Sequence, residues 1–268
     1  MNEGPTSGIL WLPSESYNAA VNGFSEEELN QLDAEQRHHF PPPDRKATLW
    51  KYLETYKFEN LLKTKTLYLR QVAKLAEAEP NEGRMNQLQE QALIKRFGHN
   101  QNDLDNFRSF HTRIRQRSWV TCFSLGDFDE AHMWERFCKQ PPNEGVAIKT
   151  TYKKLMSSLE DHPLSSELPP FCAMVRYDES ANMEWKQGYL LFQKTRAFSD
   201  EREVRACVLS PEEEQPAECL RAPVHLPRLI QKIYVHPKAS ESYMQKVCEL
   251  AAENLPKNKW RVYRSRLH

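Results

Sequence analysis

Two short segments of this chain combine residues that could do chemistry with apolar runs that could hold them in place. One is Ser118-Trp119-Val120-Thr121-Cys122-Phe123-Ser124, and the other is Phe198-Ser199-Asp200-Glu201-Arg202-Glu203-Val204-Arg205. The first is β-branched and aromatic, which predicts a strand that ends near Ser124. The second alternates, which predicts a strand with Glu201 and Glu203 on one face. Two carboxylates are therefore expected to project side by side.

A fixed carboxylate can stabilise the positive charge that develops on a sugar ring, as it does in glycoside hydrolysis. A serine hydroxyl can orient that carboxylate or the sugar. We therefore take Glu203, Glu201 and Ser124 as candidate catalytic residues. The alternative is a solvated strand face, in which the charged residues from 201 to 205 form weak cross-strand ion pairs and Ser124 caps the next helix. The residues alone leave both interpretations open.

The elements around these segments are short strands mixed with helices of unequal length. Strands are predicted at Thr48–Leu53, Thr66–Leu69, Gly145–Thr150, Phe171–Tyr177, Ile233–Val235 and Trp260–Tyr263, and helices at Tyr56–Leu62, Glu130–Cys138, Tyr152–Leu159 and Ser240–Asn254, with helical residues from 71 to 118. The predicted fold class is α+β, with two small, mostly antiparallel sheets that form a cleft and helices around it.

The length of 268 residues and the apolar content of 39% suit one domain with a substantial core. Residues 1–46 are predicted to be an N-terminal extension. In it, Ser25-Glu26-Glu27-Glu28 is a capping box that opens a polar helix to about His38, and Pro41-Pro42-Pro43 ends that helix. Residues 47–268 are predicted to form a single α+β domain.

Composition excludes several classes of protein. Lys+Arg and Asp+Glu are equal at 37 each, so nucleic acid is not indicated as a partner. Neither a bilayer-spanning apolar run nor a leader sequence is present, so we expect a cytoplasmic protein without membrane contact. The six cysteines are scattered, which favours reduced thiols and no metal site. The sequence has no glycine-rich Rossmann or P-loop motif and no G-x-S-x-G element.

Several blocks occur together in one order: Leu49-Trp50-Lys51-Tyr52, Glu79-Pro80-Asn81-Glu82-Gly83, Trp119 to Ser124, Met133-Trp134, Gly145 to Ile148, Lys194 with Phe198, Glu201 to Arg205, and Ile233 to Pro237. Through them, residues 48–267 resemble a bacterial family of domains of unknown function, the DUF 2971 type. That family usually has an Asp-Pro-Phe-Glu-Gly-like stretch. This chain departs from it with Glu79, so the resemblance assigns no role to the acidic residue at that position.

The chain also resembles, more distantly, ADP-ribosyltransferase-like domains. The similar features are Leu49-Trp50-Lys51, Leu61-Leu62, Phe123-Ser124, Gly145-Val146 and Glu201-Arg202-Glu203 in that order. The resemblance implies a two-sheet cleft that takes NAD as substrate. Glu203 would stabilise the oxocarbenium-like centre, Glu201 would polarise the nucleophile and Ser124 would have an orienting role. Lys51 stands where that family has His or Arg.

Four further residues become candidate contacts to NAD under this resemblance. Lys51 and Arg70 would lie near the phosphates, Tyr52 could stack on a base, and Trp134 could form a wall for nicotinamide. As single residues, the two basic ones are as readily surface charges, and the two aromatic ones are as readily core.

The function predicted is an NAD-dependent ADP-ribosyltransferase-like or NAD-cleaving enzyme, in a bacterial defence or stress context. The alternative is a non-catalytic ligand- or protein-binding regulatory module with the same cleft. The partner expected in either case is a small-molecule nucleotide, and the sequence does not identify an acceptor.

Overall fold

The computed structural model describes most of the chain after residue 40. The described residues are 41–77, 79, 81–139, 141, 143–159, 171–177, 189–209, 218–256 and 261–267. The helix predicted from Ser25 to about His38 lies outside them.

Nine strands are present in the described residues, and all of them belong to one sheet. They are β1 (Thr48–Leu53), β2 (Thr66–Gln71), β3 (Ser118–Leu125), β4 (Val146–Thr151), β5 (Phe171–Met174), β6 (Glu203–Leu209), β7 (Cys219–Pro223), β8 (Lys232–Val235) and β9 (Val262–Arg264). The strand order is β5-β6-β3-β1-β4-β8-β9. Outside this order, β2 pairs with β3, and β7 pairs with β2. The β8–β9 pair is parallel and the other pairs are antiparallel.

The sheet forks at β3. One edge of β3 pairs with β6 along its whole length, from Ser118 to Ser124. The other edge pairs with β1 at its C-terminal end, where Ser124 faces Trp50, and with β2 at its N-terminal end, where Val120 faces Arg70. Because β1 and β2 leave β3 at opposite ends, they separate and open a cleft between them.

The α+β class and the mostly antiparallel pairing agree with the sequence prediction. The prediction of two separate small sheets is wrong in this respect, because β3 bonds to both arms of the fork and joins them into one open sheet. A cleft between two groups of strands is nevertheless present, at the fork.

Helices cover the sheet and connect its strands. They are α1 (Thr55–Thr64), α2 (Val72–Leu75), α3 (Gln87–Phe97), α4 (Gln101–Gln116), α5 (Ala131–Phe137), α6 (Tyr152–Leu159), α7 (Leu226–Leu229) and α8 (Glu241–Asn254), with 3₁₀ turns at Tyr189–Phe192 and Arg196–Glu201. Among the described residues, none of these helices has the length and apolar character needed to cross a bilayer.

The main apolar core lies on one face of the sheet. Side chains of alternate residues on each strand, such as Leu49, Phe123 and Val204, point into it and pack with α1, α6 and α8. A buried hydrogen bond of 2.8 Å between the hydroxyls of Thr55 and Tyr243 joins α1 to α8. The opposite face of β3 and β6 therefore remains available for polar side chains.

Residues 41–46, which the sequence assigned to the extension, contact the sheet region. Pro43 is buried. The carbonyl of Pro41 accepts a hydrogen bond from the Met174 amide at 3.2 Å, and the carbonyl of Arg45 accepts one from the Lys153 amide at 3.0 Å. The last residues before β1 are thus anchored to β5 and α6.

Candidate active site

A cavity of about 620 Å³ lies at the fork of the sheet, and residues of β1, α1, β2, β3 and β6 line it. Its volume is within the range of small-molecule sites. Six of the seven residues singled out from the sequence line this cavity: Lys51, Tyr52, Arg70, Ser124, Glu201 and Glu203. The fold therefore brings together residues that are up to 152 positions apart in the chain.

The cavity has two parts of different character. We call the inner part the charged floor, formed by Glu79, Glu82, Lys194, Glu201, Glu203 and Arg205. We call the outer part the outer shelf, formed by Tyr56, Lys57, Asn60, Tyr68, Arg70 and Arg221. Side chains of the floor are largely buried and ion-paired, whereas most of those of the shelf are partly or largely exposed.

Strand pairing determines which residues reach the floor. In the β3–β6 register, Ser124 lies opposite Glu203 and Cys122 lies opposite Arg205. Directly opposed residues share a face, so these four side chains are on the face that carries the cavity. Val204 and Ala206, which alternate with them, enter the apolar core. The expectation that Glu203 and Ser124 share one cleft agrees with this geometry.

The carboxylate of Glu203 is held between two cations. Its Oε1 accepts from Arg205 Nε at 2.5 Å, and its Oε2 accepts from Arg205 Nη2 at 3.3 Å and from Lys194 Nζ at 3.4 Å. Burial acts to raise the pKa of Glu203, but Arg205 and Lys194 outweigh burial and lower that pKa to about 2. This carboxylate is therefore ionised at neutral pH although it is buried.

Arg205 is fully buried and connects three parts of the chain. Besides Glu203, its Nη1 lies 2.6 Å from Glu82 Oε1 and donates to the Leu191 carbonyl at 2.6 Å. Burial opposes its charge, but Glu203 and Glu82 outweigh burial and raise its pKa well above the ordinary value. The guanidinium remains charged and fixes the position of both carboxylates.

Glu201 reaches the floor from a turn and not from a strand. It is the last residue of the 3₁₀ turn Arg196–Glu201, and Arg202 after it has a left-handed backbone with φ of 43°. The predicted strand through Glu201 is therefore wrong, because Arg202 interrupts the alternation and β6 begins at Glu203. Glu201 is still brought beside Glu203: its Oε1 accepts from Arg136 Nη1 at 2.5 Å and its Oε2 accepts from Lys194 Nζ at 2.6 Å.

The Ser124 hydroxyl donates to the backbone carbonyl of Glu201 at 2.9 Å. This bond ties the end of the 3₁₀ turn to β3. Ser124 thereby positions Glu201 through its backbone, which differs from the expected orientation of the Glu203 carboxylate. Ser124 is inside β3, so it is not the cap of the helix that follows.

Lys194 is the cation at the centre of the floor. Its Nζ lies 2.6 Å from Glu201 Oε2, 3.1 Å from Glu79 Oε2 and 3.4 Å from Glu203 Oε2, and it stands 4.7 Å from the centroid of the Phe198 ring. Burial acts to lower the pKa of Lys194, but Glu203 and Glu201 outweigh it and raise that pKa. Lys194 neutralises carboxylates that would otherwise repel one another.

The Glu79 to Gly83 segment supplies two more carboxylates. Glu82 pairs with Arg205, and Glu79 pairs with Lys194. Burial raises the pKa of Glu79 in spite of Lys194. Gly83 has φ of 63°, and a Cβ there would lie 2.9 Å from Val72 Cγ1. Glycine is thus needed for the tight turn that directs Glu82 inward.

Lys51 lies in the fork itself. Its Nζ donates to Thr121 Oγ1 at 2.7 Å and to the Cys122 carbonyl at 3.1 Å, on the stretch of β3 between the ends that β1 and β2 pair with. Both partners are neutral oxygens. Desolvation by burial is the largest influence on this amine and lowers the pKa of Lys51 to about 8. A neutral amine is therefore accessible on this cavity wall near physiological pH.

The two aromatic candidates, Tyr52 and Trp134, differ in their position relative to the cavity. Tyr52 lines the cavity, but its hydroxyl accepts from the Glu130 amide at 2.9 Å and its ring packs edge-on against Trp134 at 5.1 Å. Trp134 is buried, its Nε1 donates to Asp129 Oδ2 at 3.0 Å, and it is not among the residues that line the cavity. Trp134 belongs to one apolar cluster with Tyr52 and Met133, which do line the cavity, so the cavity lining gives no support to the predicted contact between Trp134 and a cofactor.

Arg70 belongs to the outer shelf. Its Nη2 lies 2.9 Å from Glu77 Oε2, and both side chains are about half exposed, so this ion pair is open to solvent and to exchange with a ligand. Arg70 and Lys51 are on different parts of the wall. The sequence analysis grouped them as phosphate contacts. In the structure, Arg70 is in a half-exposed ion pair, whereas Lys51 is an amine whose pKa is lowered by burial.

The main residues that sequence reasoning did not select are Lys194, Glu79, Glu82 and Arg136. Each is a common surface residue type, and burial becomes apparent only when β3, β6 and the Glu79 turn meet. One signal was available: Lys194 comes two positions after the apolar run Tyr189–Phe192, with only Gln193 between them and no turn residue, which is unusual for an exposed lysine.

Within the described residues, no cluster of three or more His, Cys, Asp or Glu side chains has an arrangement suited to a metal ion. The carboxylates of the floor are instead balanced by lysine and arginine.

Comparison of the chain with known proteins found no matching family model and no matching curated protein. The two resemblances drawn from the sequence therefore stay predictions, and function is argued below from the cavity.

Proposed function

We propose that the cavity binds NAD and cleaves its nicotinamide–ribose bond, with transfer of ADP-ribose to water or to another acceptor. The observation that carries the proposal is the buried, ionised carboxylate of Glu203 in the floor of a ligand-sized cavity. The order of the sequence blocks that resemble ADP-ribosyltransferase-like domains supports the same reaction.

The reaction needs a stable negative charge near the ribose. When the bond from ribose C1′ to the nicotinamide nitrogen breaks, its electron pair leaves with nicotinamide and C1′ becomes oxocarbenium-like. Glu203 stabilises that positive centre electrostatically. Water or another nucleophile, polarised by Glu201, then bonds to C1′ and releases its proton to solvent. The low pKa of Glu203 keeps its charge available over the physiological pH range.

The contacts of Ser124 and Lys194 fit supporting roles in this proposal. Ser124 holds the backbone of Glu201 through its hydroxyl. Lys194 contacts both Glu201 and Glu203 and keeps the two carboxylates close together in spite of their like charge. Preorganised charges of this kind are effective because they need no rearrangement during the reaction.

A second candidate function is a non-catalytic nucleotide-binding module. The observation that favours it is that both oxygens of Glu203 already contact cations, Arg205 and Lys194. A carboxylate used in this way can hold the floor together without reaching a ligand. Under this alternative the cavity binds a nucleotide and does not turn it over.

The test compares NAD consumption by the wild-type protein and by Glu203→Gln. Release of nicotinamide measures that consumption. Glu203→Gln keeps the size of the side chain and removes its charge, so we expect turnover to fall by about 10²–10³-fold. Glu218→Gln is the matched control, because Glu218 is a largely exposed glutamate that pairs with Lys74 outside the cavity.

Thermal melting of each variant separates loss of folding from loss of chemistry. If Glu203→Gln is unstable, Ser124→Ala provides a second variant, and we expect it to reduce turnover because the Glu201 turn loses its anchor. Equal turnover by Glu203→Gln and wild type would refute the role of this carboxylate. Binding of NAD without turnover by the wild type would instead support the binding module.

A further inference from the structure

The outer shelf has a composition and placement that the catalytic proposal does not use. Tyr68 and Arg221 are directly opposite in the β2–β7 pair, and Arg70 is two residues further along β2 on the same face. The start of α1 adds Tyr56, Lys57 and Asn60 to the same wall of the cavity. Cationic and aromatic side chains therefore stand side by side at the mouth.

The charge of the cavity wall is uneven. Six cationic side chains line it, against four carboxylates. All four carboxylates are in the charged floor, where Lys194 and Arg205 pair with them. The shelf adds Lys57, Arg70 and Arg221 and contributes no carboxylate to the lining. Lys57 is paired with Glu54 and Arg70 with Glu77, two carboxylates outside the lining, so the positive charge at the mouth that would attract an anion lies mainly on Arg221.

Two cations of the shelf, Arg221 and Arg70, are available for a ligand, whereas Lys57 is paired with Glu54 at 2.6 Å. The Arg221 guanidinium donates to Asn60 Oδ1 at 3.4 Å, which is a long bond to a neutral oxygen. The partner of Arg70 is Glu77, whose side chain is 58% exposed. Exposed ion pairs of this type contribute little to stability, so a phosphate can replace Glu77 as the partner of Arg70. Arginine is well suited to phosphate because it donates two parallel hydrogen bonds.

The aromatic side chains of the shelf are unusually exposed for their size. Tyr56 is 62% exposed and Tyr68 is 48% exposed, while the described residues include only four other large apolar side chains with this degree of exposure. A planar base can stack on a tyrosine ring, and such stacking tolerates different bases because each has a flat face. Aromatic rings beside arginines are the combination that a nucleoside phosphate requires.

We propose that the outer shelf is a nucleoside phosphate subsite, in which Arg221 and Arg70 bind the phosphates and Tyr68 and Tyr56 stack on the base. This inference rests on the proposed function for the identity of the whole ligand, since the adenosine diphosphate half of NAD is the occupant it selects. It assigns the phosphates to Arg221, which sequence reasoning did not select, and not to Lys51.

The test uses three probes, each of which represents a part of the ligand: ADP, adenosine and inorganic pyrophosphate. Each is titrated calorimetrically into the full-length protein. Arg221→Gln is expected to weaken ADP and pyrophosphate by about tenfold to a hundredfold and to leave adenosine unchanged, since charged hydrogen bonds contribute about 1.5–3 kcal/mol. Tyr68→Leu is expected to weaken ADP and adenosine by about tenfold and to leave pyrophosphate unchanged. ADP affinity of the wild type should fall as salt concentration rises.

Matched controls are Arg45→Gln and Phe128→Leu. Both residues are exposed and neither lines the cavity, so we expect wild-type affinity for all three probes. The inference is overturned if the wild type does not bind ADP, or if Arg221→Gln and Arg45→Gln bind it equally well.

The two proposals fail in distinguishable ways. If ADP binds in a manner that depends on Arg221 but NAD is not consumed, the subsite stands and catalysis by Glu203 is refuted. If NAD is consumed and Arg221→Gln leaves its KM unchanged, the catalytic proposal stands and the subsite is refuted.

Discussion

The two faces of strands β3 and β6 are both buried, but they are stabilised in different ways. On one face Phe123, Val204 and Val208 pack in the apolar core. On the other face Glu203 and Arg205 are equally buried and are held by ion pairs. Apolar packing contributes locally, since each side chain loses its own contacts when it is shortened. A buried ion cluster is collective, because removal of one member leaves its partners charged and unpaired.

The largest expected effect is the replacement of Arg205 by methionine. Arg205→Met leaves the carboxylates of Glu203 and Glu82 without this partner, and we expect it to lower the free energy of unfolding by about 3–5 kcal/mol, measured by urea denaturation. Adding Glu203→Gln to this variant removes one of the two negative charges that have lost Arg205 as a partner. The double variant is therefore expected to be more stable than Arg205→Met alone.

The apolar face provides the contrast in the same measurement. Val204→Ala and Val208→Ala should each cost about 2 kcal/mol, from two lost methyl groups and a small cavity. Their Cα atoms are about 13 Å apart along β6, so the two costs should add in the double variant. If the losses of unfolding free energy caused by Arg205→Met and Glu203→Gln also add in their double variant, the ion cluster is not collective and the contrast between the two faces is wrong.

A smaller effect is expected from pH. Because the pKa of Glu203 is lowered to about 2 in the folded protein, its stabilising contribution is fully present above the unfolded pKa of about 4.3 and is lost as the pH falls towards 2. From this group alone, we expect the free energy of unfolding to fall by about 1.5 kcal/mol between pH 5 and pH 3.

Urea denaturation at a series of pH values measures this dependence, and the Arg205→Met/Glu203→Gln double variant is its control. The double variant lacks the titrating carboxylate, so its stability should fall less steeply over the same range. Equal slopes for the two proteins would show that the acid sensitivity comes from other carboxylates.

Local patterns predicted most of the elements but not the floor. The β1–α1–β2 unit and strands β3 and β4 follow from periodicity, which is a property of neighbouring residues. Strand β7 was missed because Cys219-Leu220-Arg221-Ala222-Pro223 is short and only Leu220 and Ala222 mark its apolar face. The forked sheet and the burial of Lys194 depend on pairing between distant segments, which one sequence does not reveal. Glu203 and Ser124 were found because both lie on strongly patterned strands.

The last prediction concerns Lys51, which differs from the buried cations of the floor. Within the part of the chain that the structure describes, no carboxylate is within ion-pair distance of its Nζ, and desolvation by burial lowers its pKa to about 8. At pH 8 about half of this amine should be neutral, whereas an ordinary exposed lysine with a pKa near 10.4 is almost wholly charged. We therefore expect Lys51 to be methylated faster than exposed lysines such as Lys153 during limited reductive methylation.

Mass spectrometry of digested protein at a series of pH values measures that rate for each lysine. The rate at Lys51 should rise with a midpoint near pH 8, well below the reference pKa of about 10.4 for a lysine in water. A midpoint near that reference value would show that solvent reaches Lys51 freely and that the fork does not desolvate it. Stability should hardly change on monomethylation, because a monomethylated ammonium keeps two N–H groups that can donate to Thr121 Oγ1 and to the Cys122 carbonyl. The folded protein therefore depends on Arg205 to balance the buried carboxylates of the charged floor, whereas the low pKa of Lys51 depends on its burial in the fork.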